Sequence, residues 1–328
     1  MAKIFIMGAG GFGTALGVMS NKLGHNVTLW SPFEKEVDLL IKTREQPLLP
    51  YIKIPGKIEI TTSLEDIQAQ ELVIIATPSE VVRTTAKLLA ENIPPDTTVV
   101  CVSKGIEVDS YKTLSAVLEE ELPTNRKVML SGPSHAEELS RGEPTTVVAA
   151  SRNREASEYV QDILSNESLR IYANDDVIGV ELGGALKNVI ALASGILDGL
   201  GAGDNTKAAL MTRGLAEIAR LGVVLGARTE TFAGLSGIGD LIVTCGSMHS
   251  RNRRCGILLG QGKPLNVALD EIKMVVEGVN AVRSAKALAR KYGVEMPIVN
   301  AIYDVLFNNK LATDALNELM RRDLKHED

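Results

Sequence analysis

The chain of 328 residues is long enough for two domains, and its 45% hydrophobic and 23% charged residues are typical of globular proteins. Its net charge of −6 argues against a general affinity for nucleic acid, so an anion site would need a local cluster of basic residues. Three cysteines without a paired framework predict reduced thiols and a cytoplasmic protein. Because no apolar run is seen to approach the roughly 20 residues of a membrane span, we expect no span. We also expect no signal peptide, since the first ten residues read as a short apolar strand that runs into glycines.

The first half of the chain alternates short apolar runs with helical patterns. Strands are predicted at 3–7, 27–30, 58–61, 72–76, 97–102, 127–130, 145–150 and 169–173, and helices at 11–24, 34–44, 78–91, 110–121 and 153–165. Because the strands are continuously apolar and alternate with helices, we expect a mostly parallel sheet that helices cover on both faces.

The strand patterns stop near residue 175. Helices are predicted beyond it at 177–200, 205–225, 264–271, 278–292 and 296–307. The sequence therefore predicts an α/β protein with a doubly wound, mostly parallel domain over 1–175 and an all-helical domain over 176–328.

A glycine motif follows the first predicted strand and opens the first helix. Gly8-Ala-Gly10-Gly11-Phe12-Gly13 matches G-x-G-x-x-G in the context that makes this motif informative. Its glycines permit a tight turn, backbone approach to a pyrophosphate and close packing of helix on strand. The free N–H groups at the helix N-terminus then face the phosphates. We therefore expect the first domain to be a Rossmann-type domain that binds NAD or NADP.

The choice between NAD and NADP is left open by the residues after the second strand. An acidic residue there favours a free ribose hydroxyl, and an arginine favours a 2′-phosphate. This chain has Trp30-Ser-Pro-Phe33 at that place, followed by Glu34 and Lys35, which are equally consistent with a solvated helix start.

Polar residues also follow later strands of the predicted sheet. Ser103-Lys104-Gly105 and Ser131-Gly132-Pro133-Ser134 each come directly after an apolar run. Ligands bind at the carboxyl ends of parallel strands, so Lys104 is expected at the rim of the cleft. A lysine chosen at random is more often a plain surface residue, but the position of Lys104 favours the functional interpretation.

Lys187 is the candidate proton donor. It lies in an apolar, glycine-rich helical pattern, away from the stripe of residues expected to face the core. Reducing a carbonyl group requires a proton at its oxygen, and a lysine whose pKa is lowered can supply it. Asp240, which follows Gly239, could orient this lysine; its alternative role is to cap the following helix.

A basic cluster follows, Ser250-Arg251-Asn252-Arg253-Arg254, in an otherwise acidic chain. Arginine suits bidentate binding of phosphate, and the neighbouring Asn252 adds donors. The cluster therefore predicts a small phosphorylated substrate, although part of it could be a solvated helical turn. The four histidines show no metal-binding spacing, and we predict no metal.

Taken together, these motifs resemble those of the bacterial NAD(P)-dependent glycerol-3-phosphate dehydrogenases over nearly the whole chain. The resemblance is carried by Gly8–Gly13, Ser103–Gly105, Leu130–Ala136, Glu181–Asn188, Gly234–Asp240, Ser250–Asn252 and Val275–Gly278. It implies reversible hydride transfer between NAD(P)H and dihydroxyacetone phosphate, giving sn-glycerol 3-phosphate for phospholipid synthesis. It also implies a cytoplasmic homodimer. Many relatives have an arginine after the second strand, where this chain has Ser31-Pro32, which weakens a preference for NADP.

The resemblance also assigns roles to residues. It implies catalysis by Lys187 with Asp240. Its substrate set comprises Lys104, Gly132, Ser134, Lys187, Asn188, Asp240, Ser250, Arg251 and Asn252. The cofactor set combines the motif residues Gly8, Gly10, Gly11 and Gly13 with Phe12, Lys104, Ala136, Arg251, Val275 and Glu277.

Two other functions compete with this one. A dehydrogenase of the same architecture could act on another hydroxy acid, but Arg251 and Asn252 favour a phosphate-bearing substrate. A cofactor-sensing protein without turnover is the second alternative, and the combination of Lys187 with Asp240 argues against it.

Overall fold

The computed structural model describes residues 1–324 and 326–327, which divide into two compact units. The first comprises Met1–Glu107 and Lys112–Glu181, and the second comprises Val108–Tyr111 and the chain from Leu182 onward. The change between units falls inside a helix, a few residues after the predicted boundary at 175/176.

The first unit is built on one sheet of eight strands. In chain order the strands are β1 (Lys3–Met7), β2 (Asn26–Trp30), β3 (Glu59–Thr61), β4 (Leu72–Ile75), β5 (Thr98–Cys101), β6 (Arg126–Ser131), β7 (Thr145–Ala150) and β8 (Leu169–Asn174). Their order in the sheet is β3-β2-β1-β4-β5-β6-β7-β8, and every pair is parallel except β6 with β7. The predicted doubly wound, mostly parallel sheet is confirmed.

Helices connect these strands. They are α1 (Gly11–Lys22), α2 (Glu34–Thr43), α3 (Val82–Ala90), α4 (Leu114–Glu121), α5 (Ala136–Arg141) and α6 (Arg154–Leu164). Every residue of β4 and β5 is buried, as expected for strands covered on both faces. The sequence analysis missed α5, because a helix of six residues is too short to show an apolar period.

The chain reverses its direction across the sheet between β1 and β4. From β1 it runs to β2 and β3 on one side, and β4 then lies on the other side of β1. The carboxyl ends of β1 and β4 flank the point where the strand order reverses, and such a crevice is where open α/β sheets bind ligands. The glycine motif begins there, at Gly8.

From α7 onward, every element among the described residues is helical. These helices are α7 (Val177–Gly199), α8 (Asp204–Val224), α9 (Thr229–Phe232), α10 (Asp240–Gly246), α11 (Arg251–Gly260), α12 (Leu265–Ile272), α13 (Glu277–Tyr292), α14 (Pro297–Phe307) and α15 (Ala312–Met320). A π-helical turn, Leu235–Gly239, leads into α10. The sequence analysis missed α9, α10, α11 and α15, which are short or, like α11, begin with several charged residues.

Helix α7 is buried on all sides, not along a single stripe as its apolar spacing suggested. Among the described residues, α7 is the one unbroken helix that is long and apolar enough to cross a membrane. Of its most apolar stretch of 18 residues, 94% is buried in the protein. A bent pair, Thr229–Gly246 with Arg251–Gly260, meets that test only if treated as one span. The prediction that no run approaches this length was therefore wrong, because the charges of Glu181 and Lys187 made the run look interrupted.

Helices α7 and α11 pack backbone against backbone through glycines. A Cβ atom on Gly195 of α7 would overlap the carbonyl oxygen of Arg253, and a Cβ on Gly256 of α11 would overlap that of Leu192. Larger residues would force the helices apart, since packed interiors tolerate little extra volume. The close contact fixes α11 relative to the helix that carries Lys187.

We expect Gly256→Ala to destabilise the protein by roughly 1–3 kcal/mol, because the added methyl group overpacks this contact. Gly246→Ala is the matched control, since nothing lies within 4 Å of a Cβ there. Urea unfolding followed by circular dichroism measures both variants. Equal stability of the two would contradict the close contact.

Candidate active site

The glycine motif forms a turn that accepts no side chain at its critical positions. Gly8 has φ = +120°, and a Cβ on it would lie 2.7 Å from the carbonyl oxygen of Ala76. A Cβ on Gly13 would overlap the carbonyl oxygen of Gly8. By contrast, nothing lies within 4 Å of a Cβ on Gly10, so the turn is open at that point.

The first turn of α1 suits an anion. Its N-cap, Gly10, offers no side-chain cap, and the first turn contains no acidic residue. Backbone N–H groups and the positive end of the helix dipole therefore meet a ligand without competition from a carboxylate. Phe12 packs on the hydrophobic core, and a Cβ on Gly11 would contact Ala136 at the start of α5. The open turn at Gly10 and the uncapped start of α1 fit the pyrophosphate of a dinucleotide.

Lys104, Gly132 and Ser134 are brought together at the carboxyl ends of β5 and β6. The Lys104 ammonium donates to the carbonyl oxygen of Gly132 at 2.8 Å, and the Ser134 hydroxyl donates to the same oxygen at 3.0 Å. Gly132 has φ = +134°, a conformation that favours glycine. The three predicted substrate residues of the first unit thus form one polar group.

Glu181 lies beside this group. It lines a small cavity together with Ser103, Lys104 and Ser131. The backbone N–H and the hydroxyl of Ser115, in the first turn of α4, both donate to its carboxylate. Burial nevertheless raises the pKa of the Glu181 carboxyl to about 7. The sequence analysis quoted Glu181 only as part of a motif.

Lys187 and Asp240 form a buried ion pair in the second unit. Lys187 is 6% exposed and Asp240 is 1% exposed. The ammonium donates to Asp240 Oδ1 and also to the Thr244 hydroxyl, at 2.9 Å for the latter. Thr244 in turn donates to the backbone oxygen of Asp240 at 2.6 Å. Asp240 therefore does more than begin α10, because its carboxylate holds the lysine from α7.

Thr244 was absent from the predicted site. It follows Asp240 by four residues, so both side chains lie on one face of α10. That spacing was visible in the sequence, but the helix that makes it meaningful was not.

Asn188 and Asn252 connect three helices. The Asn252 amide donates to Asn188 Oδ1 at 2.9 Å, and its oxygen accepts from the backbone N–H of Gly278 at 2.8 Å. Both asparagines are buried. This bridge joins α7, α11 and the start of α13, and it places the residue after Lys187 beside the residue after Arg251.

Ser250 caps α11, where its hydroxyl oxygen accepts from the backbone N–H of Arg253 at 3.2 Å. No acidic residue lies in the first turn of this helix, which is a favourable end for an anion. Arg251 donates to the carbonyl oxygen of Val275 at 2.9 Å, close in sequence to Glu277 at the start of α13. The predicted residues Arg251, Val275 and Glu277 thus lie near one another.

Arg253 forms an ion pair between helices. It binds Asp198 of α7 at 2.7 Å, and Lys207 binds the other carboxylate oxygen at 2.8 Å. Burial opposes ionisation of Asp198, but its bonds to Lys207 and Arg253 outweigh that effect and lower its pKa. This cluster of charges fastens α11 to α7.

Comparison with known proteins identifies the family. The model of the NAD-dependent glycerol-3-phosphate dehydrogenase N-terminus matches residues 3–157, and that of the C-terminus matches residues 176–317. The chain belongs to this family. It is 50% identical to a glycerol-3-phosphate dehydrogenase [NAD(P)+] of Fusobacterium nucleatum, over 100% of this chain and 99% of the relative.

Two further comparisons agree. A glycerol-3-phosphate dehydrogenase [NAD(P)+] of Desulfitobacterium hafniense is 52% identical, over 100% of this chain and 93% of the relative. The crystal structure of glycerol-3-phosphate dehydrogenase from Coxiella burnetii superposes with a TM-score of 0.94 at 35% identity, covering 98% of this chain and 99% of that one. The resemblance inferred from the motifs is confirmed, and the chain is an NAD(P)-dependent enzyme of this family.

The raised pKa of Glu181 predicts a specific dependence of stability on pH. The folded protein holds the Glu181 proton more tightly than the unfolded chain does, so this residue costs stability as pH rises from about 4.3 to about 7. Glu181→Gln removes that titration: the glutamine oxygen can accept from the Ser115 N–H, and its NH₂ group can donate to the Ser115 hydroxyl, which then becomes the acceptor. We expect the variant to gain stability over the wild type across this interval, by on the order of 3 kcal/mol at pH 8.

Urea unfolding at pH 4 and pH 8 measures this gain. Glu167→Gln, at an exposed position, is the control and should change little at either pH. If the difference between Glu181→Gln and the wild type were the same at both values, the buried carboxyl would not be responsible.

Proposed function

We propose that the chain catalyses reversible hydride transfer between NAD(P)H and dihydroxyacetone phosphate, giving sn-glycerol 3-phosphate. The observation that carries the proposal is the buried ammonium of Lys187, held by Asp240 and Thr244, in a chain of the glycerol-3-phosphate dehydrogenase family. The asparagine bridge from Asn188 to Asn252 ties this group to the N-terminus of α11. A proton donor and an anion site are therefore built on the same set of helices.

The proposed chemistry divides between cofactor and protein. When bound, the nicotinamide cofactor supplies or accepts the hydride. Lys187 donates a proton to the C2 oxygen during reduction and takes it back during oxidation. The bonds of the Lys187 ammonium to Asp240 and Thr244 hold it in place while the substrate oxygen accepts from it. The carboxylate of Asp240 fixes the direction of the ammonium and balances its charge.

The proposed phosphate site is the start of α11. Arg251 can form paired charge-assisted bonds to phosphate oxygens, and the helix N-terminus favours the same anion. The oxygen of the Ser250 hydroxyl accepts from the backbone N–H of Arg253, and the hydroxyl hydrogen can be donated to a phosphate oxygen. The complete substrate set that we propose is Lys104, Gly132, Ser134, Lys187, Asn188, Asp240, Ser250, Arg251 and Asn252.

The proposed cofactor set follows the glycine turn and the residues around Arg251. Open space at Gly10, the uncapped start of α1 and the close contact at Gly13 support the pyrophosphate position. The residues are Gly8, Gly10, Gly11, Phe12, Gly13, Lys104, Ala136, Arg251, Val275 and Glu277.

The cellular setting is also a proposal. We infer that residues 1–175 bind the cofactor, that 176–328 supply the catalytic groups, and that the enzyme is a cytoplasmic homodimer supplying glycerophospholipid synthesis. Three free, buried cysteines support a reducing compartment. We retain the prediction of no metal; among the described residues, no group of three or more His, Cys, Asp or Glu could hold one.

The absorbance of the reduced nicotinamide tests the activity directly. We expect oxidation of NADH or NADPH on addition of dihydroxyacetone phosphate, and no comparable rate with pyruvate or another 2-oxo acid. Turnover of a 2-oxo acid alone would favour a dehydrogenase of a different substrate class. Cofactor binding without turnover of any ketone would favour a sensing protein.

Replacing Lys187 tests its role. We expect Lys187→Ala to lower kcat by about 10²–10⁴, because general acid catalysis contributes that much, while the Kd for the cofactor changes little. Lys263→Ala, which removes a lysine from an exposed ion pair with Glu271 in this unit, is the control and should retain kcat. Because the lone Asp240 charge could unfold the variant, the double variant Lys187→Met with Asp240→Asn provides a second measurement. Near-normal kcat in either folded variant would remove Lys187 from the mechanism.

A further inference from the structure

A carboxylate is held at the carboxyl end of β2. The hydroxyl of Ser31, the residue after this strand, donates to Oε2 of Glu36 in the first turn of α2. The same hydroxyl oxygen accepts from the backbone N–H of Phe33 at 3.3 Å. Ser31 is 2% exposed, so these bonds hold Glu36 back toward the strand end instead of leaving it in solvent.

The end of β2 adjoins the glycine turn. The backbone N–H of Gly8 donates to the carbonyl oxygen of Trp30 at 2.9 Å, and Met7 pairs with Trp30 across the two strands. Trp30 thus contacts the turn that would hold the pyrophosphate, and the next residue, Ser31, holds Glu36. In dinucleotide-binding sheets, this strand end receives the ribose of the adenosine.

The other charged side chains near the end of β2 are exposed or are bonded to residues other than Ser31. Glu34 and Lys35 are exposed at the start of α2. The Arg44 guanidinium donates to the carbonyl oxygen of Ile58 at 2.8 Å, and Glu59 accepts from the Thr28 hydroxyl at 3.4 Å. Glu36 is thus the charge that the structure anchors to the residue following β2.

We propose that Glu36 determines cofactor preference: it binds the 2′-hydroxyl of NAD and disfavours the 2′-phosphate of NADP. The inference rests on the proposed function. An ionised carboxylate has about four acceptor positions, so it can keep the Ser31 bond and accept from a ribose hydroxyl. A 2′-phosphate offers no comparable donor and brings about −1.5 to −2 charges against a like charge.

A purely structural role would give a different result. Ser31 and Glu36 could simply fasten the first turn of α2. Glu36→Gln separates the two roles, because glutamine keeps the length and can accept from the Ser31 hydroxyl but has no charge. A fastening role predicts an unchanged ratio of cofactor affinities in this variant.

Isothermal titration calorimetry with NADH and NADPH, without substrate, is the test. We expect the wild type to bind NADH at least about tenfold more tightly, and Glu36→Gln to reduce that ratio by roughly 10–100-fold, mainly through better binding of NADPH. Glu34→Gln, two residues away, is the matched control and should keep the wild-type ratio. Ser31→Ala, which releases Glu36, should also reduce the ratio.

The outcomes separate this inference from the proposed function. Equal affinities in the wild type, tighter binding of NADPH, or an unchanged ratio in Glu36→Gln would overturn the role of Glu36 and leave the dehydrogenase activity standing. Failure of the wild type to bind either dinucleotide would overturn both.

Discussion

The second unit is organised around an ammonium kept out of water. Lys187 and Asp240 lie on different helices and are almost fully buried, and Thr244 completes the hydrogen bonding. Burying two charges costs several kcal/mol per ion, and apolar replacements of such pairs often leave a protein equally stable or about 1–4 kcal/mol more stable. Stability alone therefore does not account for this pair, whereas proton transfer to a substrate oxygen requires an ionisable group in a dry, fixed position.

The position of Lys187 depends on close packing of the surrounding helices through glycines. Glycines let α11 approach the backbone of α7, and Asp198 binds Arg253 across the same contact. The bond between Asn188 and Asn252 then links the residue after Lys187 with the residue after Arg251. The positions of the proposed proton donor and of the proposed phosphate ligand consequently depend on the same backbone contact, so a change in one helix moves both.

The sequence was most informative where a local pattern determines the structure. Short apolar runs, and a weak alternating pattern at 58–61, predicted all eight strands, and the motif from Gly8 to Gly13 predicted the turn between β1 and α1. The antiparallel pairing of β6 with β7 was not predicted, because a buried apolar strand has the same sequence pattern whether its neighbour is parallel or antiparallel. The short helices α9 and α10 were missed, since fewer than two helical turns give no period to detect.

Within the candidate site, the residue types and the pairing of Lys187 with Asp240 were predicted, but the other partners were not. Lys187 and Asp240 are 53 residues apart, so that pairing was inferred from the chemistry of the residues and from the family resemblance, not from a local pattern. Thr244 escaped notice because a threonine in an apolar run is ordinary for a strand or a helix. The sequence analysis considered Glu34 and Lys35, which are nearer to β2 in sequence, and did not consider Glu36. Only the bond from Ser31 shows that Glu36 is the charge held at the strand end.

A crystal structure with oxidised cofactor and dihydroxyacetone phosphate tests the central claim most directly, since that pair of ligands binds without reacting. The account predicts that Nζ of Lys187 lies within about 3.2 Å of the C2 oxygen. It also predicts that the guanidinium of Arg251 binds the phosphate of the same molecule. A ketone bound beyond the reach of Lys187, or a phosphate held by residues that exclude Arg251, would contradict it.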